Sequence, residues 1–563
     1  MILSIKEEIK KIFKGEVKDD EQTLLLYSRD ASIFEVRPKL VLFPIDTEDV
    51  KNIVKWVSEN KDKYRDPEIN QDWKNLYITA RCAGTDMSGG ALGESIILDF
   101  TKHMNKLIRF DSAKKQITVQ PGMFYRDFEK ITLEQELVLP CYTASKSLNA
   151  LGGMYGNNSA GERTLKYGTT QDYILEAKVI FADGNEHAVK PILLGEISDQ
   201  EEIYKKVYEL IKKNEEEINH AKPKVHKNSA GYYIWNVIHN NVFDLNKLLV
   251  GSQGTLGIAT EITFKLVKNP KYSKLVAIFM NDLEPLGRLV DEIIQFSPET
   301  LEAYDDKTMK LAVRFFPDFL KHKGLIGMIK FMWSFLPEFF MMFSNGFPKL
   351  ILLAEFAGEN NEIVHKQCVA LIKKIKNFKL KVHITKSEIE ANKYWDIRRE
   401  SFVLLRKHIK GRHTAPFIDD IIVRPEFLPK FLPELNKVLG GYNLTFTIAG
   451  HAGDGNFHII PLMDFKDPNI SKIIMELSEK VYNLVLQYKG SITAEHNDGI
   501  IRTPFLEKMY GEKIIKIFSE IKKIFDPKNI FNLGKKVIGS DGSGTKEYII
   551  SHIANEHTVE HKV

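Results

Sequence analysis

Thr79-Ala80-Arg81-Cys82-Ala83-Gly84-Thr85-Asp86-Met87-Ser88-Gly89-Gly90-Ala91 runs on, after three residues, into the apolar segment Ser95-Ile96-Ile97-Leu98-Asp99-Phe100. Glycines at 84, 89 and 90 leave backbone N–H groups uncovered. Successive N–H groups in such a turn form a concavity for an anion, and the missing side chains let a pyrophosphate approach the backbone. The spacing is not the Gly-x-Gly-x-x-Gly that opens a helix in a Rossmann unit. Taken alone, the segment reads either as a dinucleotide-phosphate loop or as a plain turn between strands.

A second cluster lies far downstream: Gly450-His451-Ala452-Gly453-Asp454-Gly455-Asn456-Phe457-His458, followed by Ala494-Glu495-His496-Asn497-Asp498-Gly499. Leu444 to Gly450 and Phe457 to Leu462 have strand composition, and the Gly-Asp-Gly-Asn between them is turn chemistry. A hairpin is predicted there, with His451 and His458 facing each other. Neutral imidazoles suit zinc, manganese or iron, and Glu495 would complete a three-ligand site with open positions, leaving His496 for proton transfer. Histidines beside a glycine turn are also ordinary surface residues, so support must come from the rest of the chain.

Three more glycine-rich segments follow the first: Val119-Gln120-Pro121-Gly122; Leu151-Gly152-Gly153-Met154-Tyr155-Gly156-Asn157-Asn158-Ser159-Ala160-Gly161, leading to Tyr167-Gly168; and Leu249-Val250-Gly251-Ser252-Gln253-Gly254-Thr255-Leu256-Gly257-Ile258. In this order they resemble the FAD-binding domain of the vanillyl-alcohol oxidase type, in the branch containing D-lactate, glycolate and D-2-hydroxyglutarate dehydrogenases. The hairpin and the Glu-His element resemble the substrate domain of that branch, and Phe525-Asp526-Pro527-Lys528-Asn529-Ile530-Phe531-Asn532-Leu533-Gly534-Lys535 resembles its closing segment. The likeness covers about residues 20 to 540.

That resemblance implies an α+β chain: a two-subdomain FAD-binding domain of vanillyl-alcohol oxidase type plus an α+β cap, the substrate domain, with an apolar insertion. It implies non-covalent FAD held by Arg81, Ala83, Gly84, Thr85, Ser88, Gly89, Gly90, Pro121, Gly122, Gly152, Gly153, Asn157, Ser159, Gly161, Gly168, Gly257, Ile258 and Asn532. It implies a divalent metal on His451, His458 and Glu495, with His496, Arg398 and Asn456 as catalytic residues. Arg398 takes the arginine position of the family's Trp-x-x-Arg segment in Trp395-Asp396-Ile397-Arg398 and would hold the substrate carboxylate; Arg399 and Arg502 are substitutes. Asn456 would donate to substrate or orient a ligand, and Asp454 would set a histidine tautomer.

The chain departs from the family pattern at several points. Cys82 and Asp86 stand in two flanking glycine positions of the first loop. A carboxylate there repels a pyrophosphate unless it points to solvent or caps a local N–H. Leu533 stands where proline is common. Asn497 and Asp498 follow His496 where the family has Gly-x; Asn tolerates positive φ, and Asp498 is expected to raise the His496 pKa or perturb the metal.

The length of 563 residues calls for two or three domains. A net charge of +4 on balanced acids and bases, with no basic stripe, argues against nucleic acid. Three widely spaced cysteines, Cys82, Cys141 and Cys368, supply neither a disulfide framework nor an iron–sulfur motif. Electrons would therefore leave to a quinone or an electron-transfer protein.

Met1 to Phe13 reads as a charged amphipathic helix rather than a secretory signal, which points to the cytoplasm. The apolar run Gly324 to Phe343 is broken by Lys330, Pro337 and Glu338. It reads as a peripheral contact on the inner membrane face, or as a cap or dimer contact, rather than a span. The expected organisation is a helical segment at 1–36, the FAD-binding domain at 37–270, the substrate domain at 271–500 with the insertion at about 310–346, a returning segment at 501–540 and a flexible tail at 541–563.

These readings combine into an FAD-dependent dehydrogenase oxidising a D-2-hydroxy acid, D-lactate first, then D-2-hydroxyglutarate and glycolate, to the 2-oxo acid. Two alternatives are a non-catalytic FAD-binding subunit of a larger dehydrogenase and an alkyl-glycerone-phosphate synthase-like flavoenzyme. The first would be expected to lack the histidine–carboxylate set; the second has a histidine cluster of its own.

Overall fold

β1 (Glu16–Lys18), β2 (Leu40–Phe43), β3 (Ile78–Arg81) and β4 (Ile96–Asp99) form a sheet of order β1-β2-β4-β3 in the computed structural model, which describes residues 4–63, 75–314, 347–408 and 411–554. β4 pairs in parallel with both β2 and β3 and is buried throughout, which its unbroken Ile-Ile-Leu run anticipates. β1 lies antiparallel to β2, between helices α1 (Ile5–Lys10) and α2 (Glu21–Tyr27). Residues 1–36 are thus not helical throughout. Asp49 takes the N–H groups of Lys14 and Gly15, and a Cβ at Gly15 would collide with the Phe43 carbonyl, so the chain leaves the helix and runs along β2.

The second sheet, of order β5-β6-β9-β7-β8, contains β5 (Leu107–Asp111), β6 (Gln116–Val119), β7 (Ile174–Ile180), β8 (Glu186–Val189) and β9 (Ile258–Lys265), all antiparallel. Between β6 and β7 the chain forms α3 (Leu151–Asn157) and α4 (Thr164–Tyr167).

After Asn269-Pro270 a seven-stranded sheet begins. It contains β10 (Tyr272–Met280), β11 (Thr300–Asp305), β12 (Leu350–Gly358), β13 (Lys381–Ile384), β14 (Ile421–Ile422), β15 (Ile448–His451) and β16 (Asn456–Ile459), in the order β13-β10-β12-β11-β15-β16-β14. Strand periodicity divides β10 between two cores. Val276, Ile278 and Met280 join the main core, whereas Leu275, Ala277 and Phe279 pack with Tyr304, Ile351, Leu353 and Ala449 against Tyr394, Trp395 and Ile397. The last three come from the long helix Glu388–His408. Register places Glu355, Glu302, His451 and His458 on that same helix-covered face, because Thr300 opposes Glu355, Glu302 opposes Leu353, Tyr304 opposes Ala449, and Ala449 opposes His458.

From residue 315 on, the apolar insertion expected at about 310–346 lies outside the described residues. Among the described residues no helix is long and apolar enough to cross a membrane. The closing segment adds to the first sheet: Ile78 N–H donates to Ile530 O and Asn532 N–H to Ile78 O, both at 2.8 Å. The tail expected to be flexible is, as far as residue 554, a packed element. Helix Lys546–His552 buries Ile549, Tyr548 and His552 reach Glu94 at 3.0 and 3.2 Å, and Ala554 N–H donates to Ile33 O. Its polar composition concealed a few buried anchors.

Candidate functional site

The first glycine loop turns through positive φ at Gly84 (+65°) and Gly89 (+84°). Asp86 does not point outward. Its Oδ2 accepts Ser88 N–H at 3.1 Å, Gly90 N–H at 2.6 Å and the Ser88 hydroxyl at 2.8 Å, and its Oδ1 accepts from Asn157 Nδ2 at 2.7 Å. Two N–H groups of the loop expected to hold the phosphates are thus already engaged. The other glycines sort by what a Cβ would meet. At Gly152 it would press on Pro121 Cβ and Cys82 Sγ at 2.6 and 2.9 Å, and at Gly122 and Gly161 it would strike the carbonyls of Phe100 and Tyr142. Gly257 abuts Val179 at 2.8 Å, whereas Gly153 meets nothing within 4 Å and Gly156 only Gln253 Cα at 4.0 Å. Gly153 and Gly156 share one face of α3, so this bare backbone borders open space that side chains would otherwise fill.

The remaining cofactor candidates brace this cradle. Asn532 Nδ2 donates to Gly90 O at 2.9 Å and Gln253 O at 2.6 Å, and Thr79 Oγ1 donates to Asn532 Oδ1 at 3.1 Å. Arg81 donates to the Tyr27 and Arg29 carbonyls, so it buttresses the loop from behind. Ala83, Thr85 and Ser88 lie in the loop; Ser159 O accepts from Thr170, Gly168 turns at φ +80°, and Ile258 begins β9.

The hairpin forms as β15 and β16, with His451 opposite Asn456 and His458 opposite Ala449. The two histidines are diagonal neighbours on one face. Their ring centroids are 5.2 Å apart and the rings nearly perpendicular. Three imidazoles converge on a single oxygen, Glu495 Oε1: His451 Nε2 at 3.3 Å, His458 Nε2 at 3.2 Å and His496 Nε2 at 3.7 Å. His458 Nδ1 donates to the Asp419 carbonyl at 3.0 Å, and burial holds its pKa below the usual value. In that assigned tautomer the Nε2 lone pair faces a carboxylate oxygen, acceptor against acceptor, which a cation between them would relieve. The N, N, O donor set fits a divalent metal.

Asp420, His458, Glu495 and His496 also present ligand atoms within 4.8 Å of one another. Asp420, however, is committed elsewhere. Its Oδ2 accepts the N–H groups of Ala494, Glu495 and His496 at 2.7–2.8 Å and the Thr493 hydroxyl at 2.6 Å, and its Oδ1 accepts from Asn456 Nδ2 at 3.0 Å. Burial would raise its pKa, yet His496, His458 and Arg502 hold it down at about 2. Asp420 therefore acts as the clamp that shapes the Glu-His segment.

Each histidine has a carboxylate or carbonyl behind it. His451 Nδ1 lies 2.5 Å from Glu302 Oε1, and Glu302 Oε2 accepts from Arg398 Nε and Nη2 at 3.1 and 3.0 Å. His496 Nδ1 lies 2.5 Å from Asp419 Oδ2, while the other oxygen of Asp419 accepts from buried Arg502. Burial pulls the His496 pKa down, but Asp420 and Asp419 outweigh it and push it up to about 9. Lys227, fully enclosed, contacts Glu495 Oε2 at 2.6 Å.

Several expected roles change. Asp454 pairs with His226 and Lys227, and Glu302 is the group that sets the His451 tautomer. Asn456 donates to Asp420 and to Ile421 O, holding strands together. Asn497 adopts φ +69° and donates to Asn157 O and Gly251 O, bridging to the cradle. Asp498 turns away from His496 onto Gly231 N–H and Lys536, each at 2.8 Å, so Asp419 and Asp420 exert the electrostatic effect expected of it. Arg399 pairs with Glu162 and Arg502 with Asp419. Glu302, Asp419, Asp420 and Lys227 escaped the sequence reading. The available signal was acids inside the apolar runs Thr300–Asp305 and Phe417–Ile422, where an unpaired charge is costly.

Residues 38–190 match the FAD binding domain family, and residues 269–536 match the C-terminal domain of FAD linked oxidases. The D-2-hydroxyglutarate dehydrogenase of Pseudomonas putida is 24% identical over 536 residues, covering 93% of this chain and 50% of its own length, so this chain spans about half of that relative. The glycolate oxidase subunit GlcD of Bacillus subtilis is 26% identical over 538 residues, 94% of this chain and 96% of its own. Among solved structures, 4-ethylphenol oxidase from Gulosibacter chungangensis superposes with a TM-score of 0.67 at 14% identity over 95% of this chain and 96% of its own. Alkyldihydroxyacetonephosphate synthase superposes at 0.63, again at 14% identity, over 93% and 83%. These likenesses establish the fold as that of the vanillyl-alcohol oxidase type.

Proposed function

We infer from one fact, that this chain belongs to the FAD-linked oxidase family, that it is an FAD-dependent dehydrogenase oxidising a D-2-hydroxy acid to the 2-oxo acid. The observation that carries this reading is the convergence of His451, His458 and His496 on one oxygen of Glu495. The glycine cradle would hold FAD, whose flavin ring accepts two electrons as hydride. His451, His458 and Glu495 would hold a divalent ion, zinc, manganese or iron, whose Lewis acidity makes a hydroxyl easier to deprotonate.

The remaining work falls to side chains. His496 accepts the hydroxyl proton at Nε2, because its Nδ1 is committed to Asp419. Asp419 fixes the ring, and Arg502 fixes Asp419. A general base must be neutral, so a value of about 9 is too high for an unloaded site. Positive charge held at Glu495 would oppose it, because a nearby like charge disfavours the protonated imidazole. Arg398 orients the substrate carboxylate with its Nη1, the terminal nitrogen that Glu302 does not engage. The electron acceptor would be a quinone or an electron-transfer protein, with 310–346 as a peripheral contact on the cytoplasmic membrane face.

The first substrate to test is D-lactate, with D-2-hydroxyglutarate and glycolate beside it. Anaerobic titration of the metal-loaded flavoprotein with D- and L-2-hydroxy acids should bleach the flavin with a D-acid and fail after chelation. A bound flavin that no acid reduces sinks the proposal and favours the non-catalytic subunit. Turnover of an acyl-glycerone phosphate with a fatty alcohol would favour the ether-lipid alternative.

A further inference from the structure

The chain from Glu495 to Ile500 serves two sites in turn. Glu495 and His496 turn their side chains onto the histidine cluster, and a few residues later the same backbone is fastened to the glycine cradle. Gly499 N–H donates to Gln253 Oε1 at 2.9 Å, and Ile500 N–H to Ser88 O at 2.8 Å. Between these two sets stands Asn497. It is wholly buried, and its Nδ2 donates to two cradle carbonyls, Gly251 O at 2.9 Å and Asn157 O at 3.2 Å. Asn157 is the last residue of α3, directly after Gly156, and its own side chain joins Asp86 of the first loop to Gln253. One amide thus ties the residue after His496 to two separate glycine segments.

Backbone geometry alone does not call for asparagine at this position. Asn497 lies at φ +69°, where glycine is at ease and asparagine is tolerated. What glycine does not supply is the side chain. Its Oδ1 accepts Asp498 N–H at 2.8 Å, which orients the amide and leaves the two Nδ2 hydrogens for the two carbonyls. The main chain is held as well, its N–H on Ser229 Oγ at 3.0 Å and its carbonyl on Arg502 Nη1 at 2.9 Å. Consecutive Cα atoms are about 3.8 Å apart, so a residue fixed in this way fixes where His496 begins. Asp419, 2.5 Å from His496 Nδ1, orients the ring, and Arg502 grips Asp419 together with the Asn497 carbonyl.

We propose that Asn497 is a positioning residue: its amide sets the gap between the histidine–carboxylate site and the flavin cradle, and so governs the step in which hydrogen crosses that gap rather than the binding of substrate or flavin. This rests on the reading of the protein as a D-2-hydroxy-acid dehydrogenase. In that reaction the Cα–H bond breaks, its hydrogen passes with both electrons to the flavin, the hydroxyl proton goes to His496, and the carbonyl of the 2-oxo acid forms. Such a transfer needs reacting atoms about 3–3.5 Å apart, and a displacement of about 1 Å costs about 100-fold in rate. Asn497→Gly keeps the backbone conformation and the Gly499 and Ile500 ties, so the segment stays docked while the gap loses its spacer. Asn497→Asp sets a carboxylate against two carbonyl oxygens and widens the gap further.

The test is anaerobic stopped-flow reduction of the flavin-loaded, metal-replete protein by the D-2-hydroxy acid that reduces wild type fastest, with its 2-deuterated form alongside. In Asn497→Gly the limiting reduction rate should fall about 30-fold, while the acid concentration giving half that rate moves by less than about threefold. The deuterium effect should be at least as large as in wild type, and Asn497→Asp should be slower again. Oxalate gives a readout without turnover, because it chelates a metal as the substrate would and donates no hydride. Its dissociation constant by calorimetry should agree between wild type and Asn497→Gly within about threefold, whereas the change it causes in flavin absorbance should fall by about half or more. An unchanged reduction rate, a rate loss matched by weaker acid or oxalate binding, an oxalate difference spectrum absent from wild type or undiminished in the variant, or loss of flavin or metal from Asn497→Gly would each overturn the inference and leave the dehydrogenase reading standing. A wild-type flavin that no D-2-hydroxy acid reduces defeats that reading, and the inference with it.

Discussion

Lys536→Met is expected to destabilise the flavin-loaded protein by about 3–5 kcal/mol, the cost of breaking a buried ion pair from one side. Lys536 Nζ and Asp498 Oδ2 are 2.8 Å apart and both side chains are inaccessible. Without the ammonium, Asp498 keeps only the Gly231 N–H, and its Oδ1 already lacks a partner. Asp498→Asn is milder, about 1–3 kcal/mol, because Lys536 retains the Ser229 and Gly231 carbonyls at 3.1 and 2.7 Å. The double variant removes both charges, so it should be more stable than the two losses summed, with a coupling energy of about 2–4 kcal/mol. Urea unfolding, followed in parallel by tryptophan fluorescence and circular dichroism, measures the cycle where the two transitions coincide. A loss below about 1 kcal/mol in Lys536→Met, or a coupling below about 0.5 kcal/mol, would refute the view that this pair pays for Asp498. Asp498 follows His496 by two residues, so Lys536→Met should also lower kcat more than it changes KM.

His451→Ala should lose bound metal and turnover while its flavin absorbance persists, because the cradle is built from other segments; retained metal in elemental analysis would disprove the ligand assignment. Glu355→Gln tests a pH dependence whose sign is set by a raised pKa: stability present below the ordinary carboxylate value of 4.5 is lost as pH rises through about 7. The rise from 4.5 to about 7 amounts to about 1–2 kcal/mol once the partial exposure of Glu355 is allowed for. The variant should therefore exceed wild type in urea midpoint at pH 8 and match it near pH 4.5. Asp86→Gly should weaken the apoprotein by about 1–3 kcal/mol and yet tighten flavin binding about tenfold or more, since it frees two N–H groups and removes a charge beside the pyrophosphate; weaker flavin binding, read by fluorescence titration, would contradict the loop assignment.

The parts of this structure legible in the chain were those encoded by local chemistry. Glycines at turns and the strand–turn–strand pattern around Gly453 need only a short window of sequence. His451 and His458 could be set on one face because hairpin register is local. The supporting groups were not legible. Glu302 reaches His451 from 149 positions away, and only the pairing of β11 with β15 brings it there. Asp419 and Asp420 meet His496 across 77 and 76 positions. Asp498 misled because its nearest neighbour in sequence is His496, whereas its partner in space is Lys536. The N-terminal strand and the docked terminal helix were missed for a similar reason: their short runs carry little periodicity, and distant residues decide their conformation.

Asn532 donates to Gly90 across 442 positions and accepts from Thr79 across 453. The cradle that begins at the first glycine loop is therefore finished by a residue synthesised 442 positions after Gly90. On a ribosome adding roughly 5–20 residues each second, the half-built pocket waits open for tens of seconds. Cofactor supply and the arrival of Asn532 then become coupled events, and scarce flavin should leave a population arrested before closure, offered to proteases at the unpaired edge of β3.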